Sequence, residues 1–550
     1  MRPIGPKDLV GIVLQPIEAV SDTLERKLGL FSVVIISLSA MIGSGLFVLP
    51  SLAYAMVGGG VWLAYVLAAL VVLPGAISQS ELASAMPTSG GSFVFIERTF
   101  GPLFGTIAGL GLWASFLLKA AFALIGFSAY LMFVQGYLGT DVPAIQAALS
   151  LLVLIAIVNI LGMKRITSVQ TPIVTLSILM LIGLTVWAIV SGEADYSKAR
   201  PVLETTSDWT KMGEAAAFVL VSYAGVAKVA AIGGEIKNPG RNLPGGIMTS
   251  LAIGAVLYAA LVATMVAVVP HEAFFDSHGH AIEDPVRAFA EAVGGSNVAI
   301  FAAVVAILTM TSMSLAGILA SSRYLFAMSR DNLLPDLLED VHPRFETPHL
   351  AIALTALGMA VALLTIDVHQ VVEYASGFQI MVYILMCISV LVLRKATPSH
   401  AWYQPEYNAP LRPLLQLFGI ISGSLLLYFM GAEAVIGAVT AGVVGWLIYM
   451  GYGRRHQSHK VSPWETFRLM STDPYRAESR RRTAAFYAAD TWDNKLLTLR
   501  QFISTVDAMG IDYEDTDTLR EYFHAADENG DGLIHLDQFL MALETMAAED

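Results

Sequence analysis

Between residues 31 and 452 the chain alternates long apolar runs with short polar stretches. An apolar run of about 17 to 25 residues is long enough to cross the hydrocarbon core of a bilayer as a helix. Twelve such segments are predicted, near 31–57, 60–86, 103–133, 143–162, 170–191, 214–236, 247–269, 296–327, 350–366, 370–393, 413–430 and 432–452. The ninth and eleventh are short. Residues 1–30 and 453–550 are polar by comparison. Residues 1–28 are too polar for a secretory signal, and no small-residue cleavage site follows the first run. That run is therefore expected to remain a spanning helix.

Composition agrees with this. Hydrophobic residues make up 55% and charged residues 14% of the 550, and the mean hydropathy is +0.64. A soluble core cannot use so much apolar surface, so an all-α polytopic membrane protein is expected. Cys387 is the sole cysteine, which excludes an intramolecular disulfide.

Charge orients the segments. Arg98, Lys164, Arg165, Lys237, Arg241, Arg330, Arg344, Arg394, Lys395 and Arg412 fall in every second loop. Lys7, Arg26 and Lys27 precede the first segment, and Arg454 and Arg455 follow the last. The other loops hold Lys198, Arg200, Lys211 and Arg287, all among acidic residues. The positive-inside rule then places both termini in the cytoplasm, in line with an even number of spans. Residues 453–484 carry 8 basic and 3 acidic side chains and read as a juxtamembrane linker. Arg480-Arg-Arg482 is suited to anionic lipid, at about 1 kcal/mol per basic residue, or is simply a solvated run. Residues 485–550 carry 15 acidic and 3 basic side chains. No nucleic-acid partner is expected.

Two segments contain breaks in corresponding places. The first holds Gly43-Ser44-Gly45. Glycine weakens a helix by about 1 kcal/mol, and the triplet invites unwinding, although a small-residue helix contact explains it as well. Unwound backbone in a membrane must be buried in protein or line a cavity. Freed N–H groups at the start of the following half-helix suit a carboxylate. The sixth segment holds Ser222-Tyr-Ala-Gly225 and then Gly233-Gly234. Paired broken helices in the two halves of a chain point to a transporter's binding site.

Four motifs carry a family resemblance. They are Ile42-Gly-Ser-Gly-Leu-Phe47, then Glu81-Leu-Ala with Pro87-Thr-Ser-Gly-Gly-Ser-Phe93, then Glu235-Ile-Lys-Asn-Pro-Gly-Arg-Asn-Leu-Pro244, and Ser322-Arg-Tyr-Leu-Phe-Ala-Met-Ser-Arg-Asp-Asn-Leu-Leu-Pro335. In order and in place, they resemble the amino acid–polyamine–organocation (APC) superfamily over about residues 30–450. The resemblance implies a 5+5 inverted repeat and a site midway across the membrane between broken helices 1 and 6. By position it assigns Met41, Gly43, Ser44 and Gly45 to a substrate carboxylate. It assigns the carbonyls of Val221, Ser222, Ala224 and Gly225 to an amino group, and makes Tyr223 a gate or a packing residue.

The chain departs from that pattern. Many relatives have an acid two residues after the helix 6 glycine; here Ala227 and then Lys228 follow. Some proton-coupled relatives carry a lysine in helix 5 that stands in for sodium. Thr171–Met180 has Ser177 near that place and no lysine, whereas Lys119 lies inside the third apolar run. An intramembrane lysine is costly, so function is the default reading for Lys228 and Lys119. If both face the cavity charged, an acidic solute or one with a single amine is favoured over a polyamine. Thr311, Ser312 and Ser314 are candidate hydroxyls for sodium. The coupling ion, sodium or proton, is left open.

The tail has its own signature. Asp527-Glu-Asn529-Gly-Asp531-Gly532 matches the start of an EF-hand loop over 527–538. The loop positions give Asp527, Asn529, Asp531, Leu533, His535 and Gln538 as calcium ligands. Gln538 stands where a bidentate Glu belongs, which predicts weak binding. Phe486-Tyr-Ala-Ala-Asp490 and Leu496–Phe502 recur as Phe523-His-Ala-Ala-Asp527 and Leu533–Phe539, offset by 37 residues. The first loop, 490–501, has Trp492 and Lys495 where a ligand and the glycine belong, so it is expected to be metal-free. An EF-hand-like pair over 485–550 is predicted, docking on the chain's own cytoplasmic loops.

The expected function is secondary active transport of an amino acid or related small organic ion across the cytoplasmic membrane, under calcium control through the tail. No phosphate-binding loop or nucleophile constellation points to an enzyme. The rivals are a ligand sensor that signals through the tail without transport, and a channel.

Overall fold

The computed structural model describes residues 28–549 other than 88–89, 163–165, 202, 231–232, 234–235, 346, 397–402, 457–461, 473–478, 480–481, 484, 488, 491–494, 510, 512, 514 and 528. Lys7, Arg26, Lys27, Thr88, Ser89, Lys164, Arg165, Gly234, Glu235, Arg480, Arg481 and Trp492 lie outside the described residues.

The first apolar run is broken as expected. Helix α1 (Leu30–Met41) stops where Ile42 turns extended, with φ −77° and ψ 112°. Gly43 follows, also extended, before α2 (Ser44–Phe47) and α3 (Leu49–Val57). A turn at Gly58–Gly60 leads into α4 (Val61–Ala85). A short helix, α5 (Ser92–Phe100), precedes α6 (Pro102–Leu138), α7 (Ala144–Ile160) and α8 (Ile166–Val190).

The second half opens earlier than its hydropathy suggests. Thr205 and Asp208 form a capping box, so α9 (Thr206–Val219) starts at 206 rather than near 214. A 3-10 turn over Leu220–Ala224 separates α9 from α10 (Gly225–Ala230). Pro239-Gly-Arg-Asn-Leu-Pro244, expected as the exit of the sixth segment, forms the first turns of α11 (Pro239–Val268). Proline at the first helical position has no N–H to lose, which suits it to start a helix. Next come α12 (Pro285–Arg330), α13 (His349–Thr365), α14 (Val368–Ala396), α15 (Leu414–Phe429) and α16 (Ala432–Ile448). Gly295, at φ 72°, interrupts α12, so its apolar stretch starts at 296, where hydropathy placed it.

Among the described residues eight helical stretches are long and apolar enough to cross a membrane, against twelve expected. The difference has a physical cause. The break cuts the first segment into pieces, and α7, α13 and α15 have 17, 17 and 16 residues. At 1.5 Å per residue these reach about 25 Å, short of an average hydrocarbon core of about 30 Å. The longest packing runs between α6 and α12: Phe116 stacks on Tyr324 at 5.7 Å, and Ser314 Oγ donates to the Ala120 carbonyl at 3.0 Å.

The stretch expected as a linker contains α17 (Pro463–Thr472). Its Trp464 packs on Phe100 of α5 at 5.6 Å, and its Phe467 lies 5.6 Å from the Lys395 ammonium of α14. The tail has a separate core around Phe486, Phe502, Phe523 and Phe539. There β1 (Leu497–Thr498) and α18 (Leu499–Met509) precede α19 (Thr516–Ala526), β2 (Leu533–Ile534) and α20 (Leu536–Glu549). Strands β1 and β2 pair antiparallel, with Leu497 opposite Ile534.

Near the end of α4 the Glu81 side chain is fully buried. A buried charge is tolerated only when paired and hydrogen-bonded. Arg394 of α14 grips Glu81 with Nε on Oε1 at 2.8 Å and its Nη2 on Oε2. The Tyr403 hydroxyl donates at 2.8 Å and the Ala409 N–H at 2.7 Å. This clamp fastens the 403–409 stretch across α4 and α14. Glu81→Ala leaves Arg394 without its partner and is expected to cost about 3–5 kcal/mol. Thermal unfolding of the purified protein checks this, and Glu81→Met with Arg394→Met should be less damaging than Glu81→Ala alone.

Candidate substrate site at the crossing of two broken segments

The break at Ile42–Gly43 and the turn at Leu220–Ala224 face each other. Gly45 and Gly225 allow the approach. A Cβ on Gly45 would lie 2.7 Å from Ser222 Oγ, and one on Gly225 would lie 2.5 Å from the Met41 nitrogen. Breaking a helix frees N–H and C=O groups that lipid cannot satisfy. The surrounding side chains satisfy them here.

Lys119 of α6 links the two breaks. Its ammonium donates to the Ala40 carbonyl at 3.1 Å and to the Val221 carbonyl at 3.0 Å. Tyrosine hydroxyls take most of the rest. Tyr65 donates to Gly45 O at 2.8 Å, Tyr130 to Phe47 O at 2.7 Å, Tyr258 to Ser222 O at 3.4 Å and Tyr383 to Tyr223 O at 3.4 Å. Ser376 Oγ accepts the Val221 N–H at 3.3 Å and donates to Phe218 O at 3.0 Å. The Ser44 N–H points at the Met313 sulfur of α12, 3.2 Å away. A thioether is a weak acceptor, so this donor is only weakly occupied.

The two stretches that carry the expected site residues meet at two points. Gly45 lies against Ser222 and Met41 against Gly225, Gly43 and Ser44 face Met313, and these residues with Val221, Tyr223 and Ala224 are all buried. Tyr223 is fully buried, with its hydroxyl on the Tyr65 carbonyl at 3.0 Å and its ring 5.1 Å from Tyr258. Lys119 stands between the two groups. The hydroxyl trio does not gather. Ser312 lines a cavity, whereas Thr311 bonds within its own helix to Ile307 O and Ser314 bonds to Ala120 O.

That cavity is small, at about 30 Å³. Ser39, Lys119, Lys228, Gln170, Thr309, Ser312 and Met313 give it its polar and polarisable groups, and no carboxylate lines it among the described residues. Met313, Gln170 and the capping tyrosines were not singled out from sequence. A signal existed for the tyrosines: a phenol deep in an apolar run needs a hydrogen-bond partner.

In the tail, Asp527 accepts the N–H groups of Gly530 and Gly532, both at 2.9 Å, and Asp531 accepts that of Leu533 at 2.9 Å. Gln538 accepts the His535 N–H at 2.8 Å. The first loop repeats these bonds 37 residues earlier, from Lys495 N–H to Asp490 at 2.6 Å and from Thr498 N–H to Gln501 at 2.9 Å. Lys495 even shares the left-handed backbone of Gly532, with φ 60° against 78°. No group of three or more His, Cys, Asp or Glu side chains able to hold a metal occurs among the described residues.

Apolar helices of spanning length, crossed by two broken segments whose polar backbone is sealed from lipid, define a membrane transport protein. The chain matches the amino acid permease family over residues 28–451 and belongs to it. It is 28% identical over 451 residues to a branched-chain amino acid permease of Bacillus subtilis, covering 79% of this chain and 94% of that one. It is 28% identical over 461 residues to the methylthioribose transporter of the same organism, covering 79% and 95%. A serine/threonine exchanger of B. subtilis is 25% identical over 452 residues, covering 79% and 98%. Among solved structures, a manganese transporter of Eremococcus coleocola shares the fold, with a TM-score of 0.51 and 13% identity over 78% of this chain and 96% of that one. The protein is an integral membrane permease and not an enzyme.

Gly225→Ala is expected to force α1 and α10 apart and cost about 1–3 kcal/mol. Gly442→Ala on α16, where a Cβ meets nothing within 4 Å, serves as the control and should not lower the thermal midpoint.

Proposed function

We propose that this permease is a secondary active transporter of an amino acid or related small organic ion, working by alternating access around its two broken segments. The observation that carries the reading is Lys119, bonded at once to the carbonyls of Ala40 and Val221. Movement of either segment relative to the other must change those bonds. Counting the four shorter apolar helices and treating 30–57 as one interrupted span, the reading has twelve spans, a 5+5 inverted repeat, and both termini in the cytoplasm. The substrate carboxylate would take the N–H groups around Ser44, and its amino group the carbonyls around Val221. Named relatives with such different cargoes as branched-chain amino acids and methylthioribose support a small solute without choosing it. They are transporters, which favours transport over a sensor.

The tail is read as an EF-hand-like pair that regulates the permease through calcium. Support comes from the paired strands, the repeated turn bonds and the donor set Asp527, Asn529, Asp531, Leu533 carbonyl, His535 and Gln538. The donors fit a weak site: they are oxygen-rich, but Gln538 brings one neutral oxygen where a bidentate carboxylate is usual.

Uptake of labelled acidic, neutral and basic amino acids and a polyamine into proteoliposomes tests the reading. Saturable uptake of one class is expected; flux that never saturates would point to a channel, and ligand binding without flux to a sensor. Calcium on the tail side should change the rate in the parent protein. Asp527→Ala with Asp531→Ala should abolish that change, and an unaltered calcium response would rule out this loop as its source.

A further inference from the structure

Leu28 pairs with Ile236, and the Lys237 N–H reaches the Leu28 carbonyl at 2.9 Å. The start of α1 and the chain following α10 therefore meet at one end of the bundle. The cavity adjoins the break, since Ser39, Ala40 and Ile42 of the first segment line it together with Lys228 of α10. Among the described residues it is lined by two ammonium groups and no carboxylate.

The two lysines differ. Lys119 donates two of its three N–H groups to carbonyls. Lys228 makes no hydrogen bond or ion pair among the described residues, and the Ser312 hydroxyl, which shares the cavity lining with it, makes none among them either. An unpaired ammonium in apolar surroundings is costly, and such groups mark solute and ion pathways. Two cationic groups repel a third cation, so a sodium ion is disfavoured here and an anion is favoured. Lys228 supplies charge and Ser312 an O–H donor, a pair suited to a carboxylate.

The geometry points to Lys228, with Ser312, as the holder of an anionic group of the cargo, so that the substrate is an amino acid or related solute with a negative charge beyond its α-carboxylate. This rests on the transport reading above and narrows it. The test uses the full-length protein in proteoliposomes. L-aspartate and L-glutamate are compared as competitors with their amides, L-asparagine and L-glutamine, in chloride and in gluconate. Each acid should compete at least about ten-fold better than its amide, a difference of about 1.4 kcal/mol. Lys228→Gln should bring that ratio close to one, Ser312→Ala should reduce it, and Lys228→Arg, which keeps the charge, should retain it. Amides competing as well as acids in the parent protein would overturn the inference, as would an undiminished ratio in folded Lys228→Gln. In parallel, thermal protection is measured on purified protein. Protection by chloride alone, lost in Lys228→Gln, would overturn the assignment to cargo by making the anion inorganic. Saturable uptake of neutral amino acids only would overturn the inference and leave transport standing, whereas no uptake or protection by any amino acid would overturn the inference together with the amino acid reading it rests on.

Discussion

Backbone that leaves a helix inside an apolar layer has no water to bond with, and the structure is arranged around that constraint. Two segments break, at Ile42–Gly43 and at Leu220–Ala224, and each exposes carbonyls and N–H groups that lipid would leave unsatisfied. The remedy is collective. Lys119 reaches from α6 to both breaks, and tyrosines from α4, α6, α11 and α14 donate to neighbouring carbonyls. The helices around the breaks are thus held by the polar groups of the breaks themselves, as well as by the apolar faces that pack on one another.

The same arrangement bears on how a solute enters. Most freed groups already have a partner from the protein, and some of those partners are weak. The Met313 sulfur is a poor acceptor for the Ser44 N–H, and the hydroxyls of Tyr258 and Tyr383 sit at 3.4 Å, the long end of a hydrogen bond. A carboxylate offers Ser44 a charged acceptor, roughly twice as strong as a neutral one. Any solute that takes these groups must displace a side chain, so occupancy and rearrangement are linked by the shared hydrogen bonds.

Beyond the bundle, α17 turns what reads as a basic linker into a docked element. Trp464 and Phe467 rest on α5 and on the end of α14, and Lys395 of that contact adjoins Arg394 of the Glu81 clamp. In the tail, Gln501 and Gln538 accept the N–H three residues earlier in their respective loops. Gln538 is thereby a capping residue as well as a candidate ligand, which explains why a glutamine recurs at this offset.

Hydropathy by itself determined the helical class and nearly every apolar element, because a span requires an unbroken apolar run and nothing else in the chain competes with it. Gly43-Ser44-Gly45 and Ser222–Gly225 marked the breaks for a similar local reason: small and polar residues weaken a helix wherever they occur. Local capping chemistry was harder to see, and Thr205 with Asp208 moved the start of α9 by eight residues. Partnership was decided only in three dimensions. Lys119 read as an unpaired charge, yet it meets two carbonyls 79 and 102 residues away, and Glu81 finds Arg394 at 313 residues' distance. Thr311 and Ser314 looked like Ser312 in the sequence, but helix rotation turned them onto backbone carbonyls and left Ser312 at the cavity. Sequence specifies which groups need a partner; only packing of distant helices specifies which partner is within 3 Å.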